Sequence, residues 1–234
     1  MIDLKDNIAR VQERIAEACG RVSRRPDGVK LVAVSKTVPP DRIRAAYDAG
    51  LRDFGENRVQ EAEAKAPALA DLGAAGLRWH LVGHLQKNKS KKAVALFDVI
   101  QSLDEVELAH HLEHYGAEQR KTVRALVQVD LAGEATKFGL EEKLLLPALE
   151  NLRGFKSLQV HGLMVLPPFG EDPEAARPFF RRLHGLRDQA AREGLLRGAE
   201  LSMGMSHDFE VAIEEGATLV RVGTAIFGER ARKG

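Results

Sequence analysis

The segment LSMGMSHDFEVAIEEGATLVRVGTAIFG, residues 201–228, contains a strand, a helix and a second strand in succession. A β-rich run over 199–203 leads into a helical segment at Ser206–Glu215, and Ser206 stands at its expected N-cap. The run TLVRV at 218–222 then returns to apolar and β-branched residues. Two strands joined through one helix predict a parallel pair with a right-handed crossover.

The same alternation extends back to the N-terminus, where residues 3–19 place apolar side chains at helical spacing. Eight strands that alternate with helices predict a single (β/α)₈ TIM barrel with an extra N-terminal helix, and a doubly wound open sheet is the alternative. The remaining β-rich runs are 30–35, 52–55, 78–83, 97–102, 123–131 and 157–165. The remaining helical segments are Pro39–Ala49, Asn57–Leu69, Gln86–Leu96, Asp104–Glu118, Glu141–Leu152 and Pro173–Glu193.

Length and composition indicate how many domains the chain forms and which partners it can have. With no linker or internal repeat, residues 1–234 are expected to form one domain. The 35 basic and 34 acidic side chains give a net charge of +1, so neither nucleic acid nor an anionic membrane is expected as a partner. Cys19 is the only cysteine and is predicted to be a buried small hydrophobe. Without a signal peptide or an apolar run near ~20 residues, the chain is expected to be cytoplasmic. A monomer is a separate expectation.

The position of Lys36 predicts an amine that reacts with a carbonyl group. Lys36 ends the first strand, in AVSKT, and functional groups of a barrel gather where strands end. Small and apolar residues precede it, and partial desolvation would favour its neutral, nucleophilic amine. The alternative interpretation is an ordinary lysine at a strand end.

The end of the chain offers a phosphate site opposite that lysine. Ser206, Gly223 and Thr224 supply hydroxyl and N–H donors in the loops after strands seven and eight, the recurring phosphate site of this fold. Strand eight adjoins strand one in a closed barrel, so a phosphorylated aldehyde could bridge this site and Lys36. Arg221, two residues before Gly223, faces the same interior side and could meet a ring nitrogen. Simple capping and a tight turn are the alternative.

Motifs over residues 5 to 230 resemble those of the pyridoxal phosphate homeostasis protein family. They are AVSKT at 33–37, FGENRVQE at 54–61, WHLVGHLQKNK at 79–89, TKFG at 136–139, HGLM at 161–164, SMGMSHDFEVAI at 202–213 and VRVGTAIFG at 220–228. The resemblance implies a fold similar to the N-terminal barrel of alanine racemases. It also implies pyridoxal 5′-phosphate (PLP) as cofactor, held as a Schiff base.

The resemblance also implies a role for each site residue. It makes Lys36 the Schiff-base lysine, Arg221 the partner of the pyridine nitrogen and Asn57 a residue that lines the ring face. The phosphate ligands that it implies are Ser206, Gly223 and Thr224. Two positions depart from common family forms, Arg58 and His207, and neither touches the cofactor groups in this prediction.

The predicted function is a PLP carrier or buffer that supplies apo forms of PLP-dependent enzymes. Arginine only donates hydrogen bonds, so it would hold the ring nitrogen unprotonated and weaken the ring as an electron sink. Alanine racemases share such an arginine, so it does not exclude catalysis. They also need a tyrosine base from a further domain, whereas Tyr47 and Tyr115 fall in predicted helices here. A low-activity PLP-dependent racemase or lyase is one alternative, and a class I aldolase is another.

Four further features are given weaker interpretations. The His110, His111 and His114 run is predicted to be a solvated helix face rather than a metal site. His84 is expected near the barrel mouth, with packing and function both open. The basic patch Lys87–Lys92 is predicted to be a solvated helix, with docking of an acidic partner as the second interpretation. Lys137, in TKFG, is either a surface lysine or a transient second amine.

Overall fold

Nine parallel strands form the sheet of the computed structural model, which describes residues 3–133 and 138–228. Eight of them make the barrel, and the short sixth strand pairs with the end of the fifth. Their bounds are β1 Lys30–Val34, β2 Asp53–Glu56, β3 Arg78–Leu81, β4 Val99–Leu103, β5 Val123–Asp130, β6 Leu140–Glu141, β7 Leu158–Met164, β8 Glu200–Met205 and β9 Leu219–Val222.

The order of the strands closes the sheet. Neighbours follow the sequence β4, β3, β2, β1, β9, β8, β7, β5, and pairing of β4 with β5 joins the two ends. The predicted (β/α)₈ barrel is therefore confirmed, and the open-sheet alternative is wrong. A closed parallel barrel buries both faces of each strand, which explains the nearly continuous apolar runs.

Helices surround the barrel and follow most of its strands. They are α1 Leu4–Arg21, α2 Pro40–Asp48, α3 Val59–Lys65, α4 Ala70–Ala74, α5 Ser90–Leu96, α6 Val106–Gln119, α7 Leu145–Leu152, α8 Arg177–Arg192, α9 Phe209–Glu214 and α10 Thr224–Phe227. The predicted N-terminal helix is confirmed as α1. Its N-cap Asp3 accepts from the Lys5 N–H, and its buried stripe of Ile8, Val11 and Ile15 packs toward α9 and α10.

Two helix predictions are wrong in detail. The segment expected to be one helix over Asn57–Leu69 breaks after α3 into a 3₁₀ turn, Ala66–Leu69, because Pro67 cannot donate to an α-helical hydrogen bond. Ser206 is not an N-cap, because α9 begins at Phe209 and Asp208 occupies the N-cap position. The Asp208 carboxylate accepts instead from the Met205 N–H at 2.6 Å. The strand β6 and the helix α10 were not predicted.

The core confirms the prediction for Cys19. Its side chain is fully buried, and this burial raises the pKa of the thiol. In the parts of the chain that the structure describes, none of the helices has the length and apolar character needed to cross a bilayer.

Candidate functional site

The carboxyl ends of β1 and β9 lie side by side at the mouth of the barrel. The two strands pair in register, with Ala33 opposite Val222. Lys36 follows β1 by two residues and Gly223 follows β9 directly. A Cβ on Gly223 would lie 3.3 Å from the Val34 carbonyl oxygen, so the loops leaving these strands are in close contact. The predicted adjacency of strands one and eight is therefore present, as the β1–β9 pair.

The loop after β8 meets the end of β9 through a hydrogen bond. The Gly223 N–H donates to Ser206 Oγ at 3.2 Å, and Thr224 begins α10 as an exposed residue. Gly204 sets this geometry: its φ is +89°, and a Cβ there would lie 2.6 Å from the Ala212 Cβ. Glycine at this position lets α9 pack against the end of β8 and places Ser206 toward the mouth. The Ser206 hydroxyl and the Gly223 N–H thus meet on one side of the mouth, and Thr224 follows Gly223 in the sequence.

Arg221 lies inside the barrel, as the alternation of β9 predicted. It is 3% exposed, and it donates to Ser202 Oγ at 2.5 Å and to the Val165 carbonyl oxygen at 2.9 Å. Burial lowers the pKa of Arg221 to about 10, opposed by the charge of Asp208, so the guanidinium remains a cation at neutral pH. A buried cation at this depth can donate to a polar ligand atom but cannot accept from one.

The segment that carries Lys36 is clamped by a buried ion pair that sequence reasoning missed. Glu56 ends β2 and is fully buried, and its Oε1 accepts from Ser35 Oγ at 2.6 Å and from Lys65 Nζ at 2.8 Å. Lys65 also donates to the Ser35 carbonyl oxygen at 2.8 Å. Burial raises the pKa of Glu56, and the hydrogen bonds from Lys65 and Ser35 oppose it. The only sequence signal was a charged residue at the end of an otherwise buried strand.

Asn57 follows β2 directly and is half-buried. Gly83 packs against its backbone so closely that a Cβ there would lie 2.4 Å from the Asn57 carbonyl oxygen. Beside this contact lies a cavity of about 780 Å³, lined among others by Asn57, Arg58, His84 and Lys89. Asn57 therefore lies at the carboxyl end of β2, and its role toward the ring face stays a prediction.

His84 also lines this cavity and has two structural contacts. Its Nδ1 lies 2.7 Å from Asp104 Oδ2, and its ring stacks on Phe138 with centroids 3.7 Å apart and planes at 9°. Burial raises the pKa of Asp104, and His84 opposes that shift. These contacts support the packing interpretation of His84, and a function for this side chain stays a prediction.

The basic patch and the histidine run lie on the surface, as predicted for solvated helix faces. Lys91 pairs with Glu118 at 2.6 Å and Lys92 with Glu63 at 2.7 Å, while Lys87 pairs with Glu105 and Glu107. Three of the four lysines of the patch thus have acidic partners on the surface of this chain, which fits a solvated helix. On α6, His110 and His114 are exposed. Across residues 3–133 and 138–228, no three His, Cys, Asp or Glu side chains are grouped to hold a metal ion. Lys137 lies outside the described residues.

The comparisons with known proteins first define the class of barrel. The family model for "Alanine racemase, N-terminal domain" matches residues 4–231. Alanine racemase of Clostridium difficile superposes with a TM-score of 0.71 at 12% identity, over 95% of this chain and 60% of that chain. At this identity the likeness shows the fold alone, which is the barrel of the alanine racemase N-terminal domain.

Closer relatives place the chain within that class. Proteins of Aquifex aeolicus and Escherichia coli (strain K12), both named pyridoxal phosphate homeostasis protein, are 46% and 36% identical over 225 and 235 residues. The alignments cover 96% and 98% of this chain and 97% and 98% of the relatives. PipY of Synechococcus elongatus, solved with PLP bound, is 42% identical with a TM-score of 0.81, over 92% of this chain and all of that chain. The chain belongs to the pyridoxal phosphate homeostasis protein family.

Proposed function

We propose that this chain binds PLP at the mouth of its barrel and buffers or delivers it to apo forms of PLP-dependent enzymes. The observation that carries the proposal is the β1–β9 pairing, which brings the Lys36 segment beside the Gly223–Ser206 hydrogen bond. PLP carries an aldehyde and a phosphate. The aldehyde matches the amine of Lys36, and the phosphate matches the hydrogen-bond donors of Ser206 and Gly223 on the adjacent strand end. The solved structure of PipY with PLP bound supports the same ligand.

Each residue has a part in the proposed site that suits its chemistry. Lys36 provides the amine that forms a reversible Schiff base with the aldehyde. The buried guanidinium of Arg221 donates to the pyridine nitrogen, and Asn57 lines the ring face. The phosphate is held by the hydroxyls and N–H groups of Ser206, Gly223 and Thr224. When bound, PLP supplies a carbonyl that exchanges between amines.

The chemistry of Arg221 suits a protein that stores PLP better than one that uses PLP in catalysis. Because it only donates, it holds the ring nitrogen unprotonated, and an unprotonated ring withdraws electrons weakly. Both tyrosines lie in helices, as predicted: Tyr47 in α2 and Tyr115 in α6. The Tyr47 hydroxyl donates to the Ala75 carbonyl oxygen at 2.6 Å and is thereby held at the outer layer. A weak racemase or lyase remains the second candidate, since the barrel is that of the alanine racemase N-terminal domain.

The proposed working unit is a single chain in the cytoplasm. Every proposed cofactor ligand comes from one barrel, so a second copy is not needed to complete the site. The lone buried thiol of Cys19 fits a reducing compartment. Light scattering of the PLP-loaded protein should give the mass of one chain, and a dimer mass would contradict the monomer proposal.

The delivery proposal is tested with an unrelated PLP-dependent apo-enzyme. The loaded protein is mixed with that apo-enzyme, with and without a reagent that traps free PLP, and recovery of activity is followed. Recovery in both samples supports direct handover. Recovery only without the trap reduces the function to buffering, and no recovery in either sample overturns the carrier proposal. A mock-loaded Lys36→Ala protein controls for carried-over free PLP.

A further inference from the structure

A continuous row of buried polar side chains crosses the interior of the barrel. Arg221 NH1 contacts Ser202 Oγ at 2.5 Å, and Ser202 Oγ contacts Gln101 Oε1 at 2.5 Å. Gln101 Nε2 lies 2.9 Å from His80 Nδ1, and His80 Nε2 lies 2.8 Å from Asp53 Oδ1. Each of these five residues is at most 4% exposed. We call this row the barrel relay.

The barrel relay joins strands that are not neighbours in the sheet. Gln101 belongs to β4 and Ser202 to β8, which are separated by β5 and β7 around the barrel. Their contact therefore passes through the interior instead of along the backbone ladder. Arg221 of β9 and Asp53 of β2 both lie opposite Val32, the middle residue of β1, which separates their strands. The relay thus links the two strands that flank β1 through the interior of the barrel.

The guanidinium at one end of the barrel relay and the carboxylate at the other determine which atom donates in each of its hydrogen bonds. A guanidinium only donates, so Ser202 Oγ accepts from Arg221 and its own O–H donates to Gln101 Oε1. The Gln101 amide then presents Nε2–H to His80 Nδ1, which must accept. His80 consequently carries its proton on Nε2 and donates to the Asp53 carboxylate, which only accepts. No member can be reversed without leaving a buried donor or acceptor unpaired.

The far end of the relay is anchored by a second arginine. Arg78 forms a two-point contact with Asp53, through Nε to Oδ1 at 2.9 Å and through NH2 to Oδ2 at 2.8 Å. Burial alone would raise the pKa of Asp53, but the hydrogen bonds from His80 and Arg78, together with the charge of Arg78, outweigh it and hold the pKa far below its ordinary value. The relay therefore ends on a permanent carboxylate.

Arg221 depends on the relay because it has no direct acidic partner. Among the described residues, no carboxylate forms an ion pair with its guanidinium, and the charge of Asp208 acts on it only from a greater distance. Two of its N–H groups are fixed by Ser202 and by the Val165 carbonyl oxygen, and both acceptors are neutral. The orientation of Ser202 is in turn set by Gln101. The direction of the remaining Arg221 N–H groups is therefore set by the contacts with Ser202 and Val165.

We propose that Gln101 and His80 are positioning residues that hold Arg221, through Ser202, in the orientation in which it meets the pyridine nitrogen. The proposal rests on the proposed function, because it assigns a use to the Arg221 side chain in PLP binding. Neither Gln101 nor His80 touches the cofactor in this scheme. Their effect on the ligand is confined to the atom that Arg221 contacts.

The first test needs no ligand. Nitrogen-15 NMR of the cofactor-free protein at neutral pH should show His80 in the Nε2–H form, with Nδ1 as an acceptor. A His80 protonated on Nδ1 alone, or a mixture of the two neutral forms, would overturn the directed relay.

The second test compares PLP with an analogue in which the ring nitrogen is replaced by C–H. The wild-type protein should prefer PLP by about tenfold, the size expected for one charge-assisted hydrogen bond. Gln101→Met removes the amide at nearly constant volume and should abolish this preference. His80→Gln retains one donor and one acceptor and should keep much of it. An equal loss of affinity for both ligands in Gln101→Met would mean a structural role only and would overturn the proposal.

A matched control separates the relay from general effects on the core. Gln128→Met makes the same change at a buried glutamine of β5, which donates to the Phe138 carbonyl oxygen outside the relay. Its preference for PLP over the analogue should remain that of the wild type, and a loss of preference equal to that of Gln101→Met would count against the relay. If the wild type bound neither ligand, the proposed function would fail, while the NMR result would still decide whether the relay exists.

Discussion

The backbone N–H of Gly223, at the end of β9, donates a hydrogen bond of 3.2 Å to Oγ of Ser206, in the loop after β8. The N–H already points at the hydroxyl oxygen across the gap between two strand ends, and the hydroxyl hydrogen is left to donate elsewhere. A phosphate oxygen that replaced this contact would accept from both groups. This pair is therefore the nucleus of the proposed phosphate site.

Ser206→Ala should weaken PLP binding about ten- to a hundredfold, because a hydrogen bond to a charged group contributes ~1.5–3 kcal/mol. Binding of pyridoxal, which lacks the phosphate, should be weak and unchanged by the substitution. Titration calorimetry with both vitamers measures this. Ser90→Ala is the control, since Ser90 Oγ is buried without a hydrogen-bond partner among the described residues. Equal affinity of the wild type for both vitamers would contradict the phosphate site.

Lys36→Ala should abolish the covalent link to PLP. The amine is the only group in the proposed site that can form a Schiff base, so the substitution removes the absorbance band of the bound cofactor. Reduction with borohydride followed by peptide mass spectrometry should locate the adduct on Lys36 in the wild type. Lys30→Ala changes a lysine at the opposite end of β1 and should leave the adduct intact. An undiminished adduct in Lys36→Ala would move the site to another lysine.

The PLP-loaded protein should not turn over amino acids at an enzyme-like rate. The prediction rests on the second base that a racemase needs, because Tyr47 and Tyr115, the two tyrosines of the sequence, both lie in helices. The donating Arg221 adds to this, because it keeps the ring a weak electron sink. Incubation with L- and D-alanine, followed by chiral chromatography and a keto-acid assay, provides the measurement. Turnover near ~1 s⁻¹ or faster would favour the second candidate, a PLP-dependent racemase or lyase.

The barrel could be predicted from sequence because each buried strand carries its own apolar run, and a short run can be recognised without knowing its neighbours. The adjacency of Lys36 and Gly223 followed from topology alone, since the first and last strands of a closed barrel must pair. Ser206 was misread as an N-cap because Asp208, two residues later, competes for the same role.

The buried polar contacts could not be predicted in this way. Asp53, His80, Gln101 and Ser202 stand singly within separate strands, spread over 150 residues of sequence. Nothing in the sequence around any one of them indicates that it contacts the others. Only barrel closure and the register of each strand bring them into contact, and a shift of one residue would point any of them outward.

Asp53→Asn should destabilise the protein most at neutral pH. The pKa of Asp53 lies far below its ordinary value of 3.8 in the folded state, so the carboxylate stabilises the fold above that pH. This contribution is lost as the pH falls below the ordinary value, where the unfolded chain takes up the proton first. Breaking a buried pair leaves a charge uncompensated, and the free energy of unfolding at neutral pH should drop by ~3 kcal/mol.

Urea unfolding of both proteins between about pH 3 and pH 7 should therefore show two curves that converge on the acid side. Asp71→Asn provides the control, because Asp71 also has a lowered pKa, about 2, and a two-point contact with Arg44, yet it is exposed. An exposed pair is screened by water, so that substitution should change stability little at any pH. A difference in the free energy of unfolding between the wild type and Asp53→Asn that stayed constant across this pH range would contradict the prediction. Asp53 would then act through its shape and not through its charge, and the barrel relay would not end on a carboxylate.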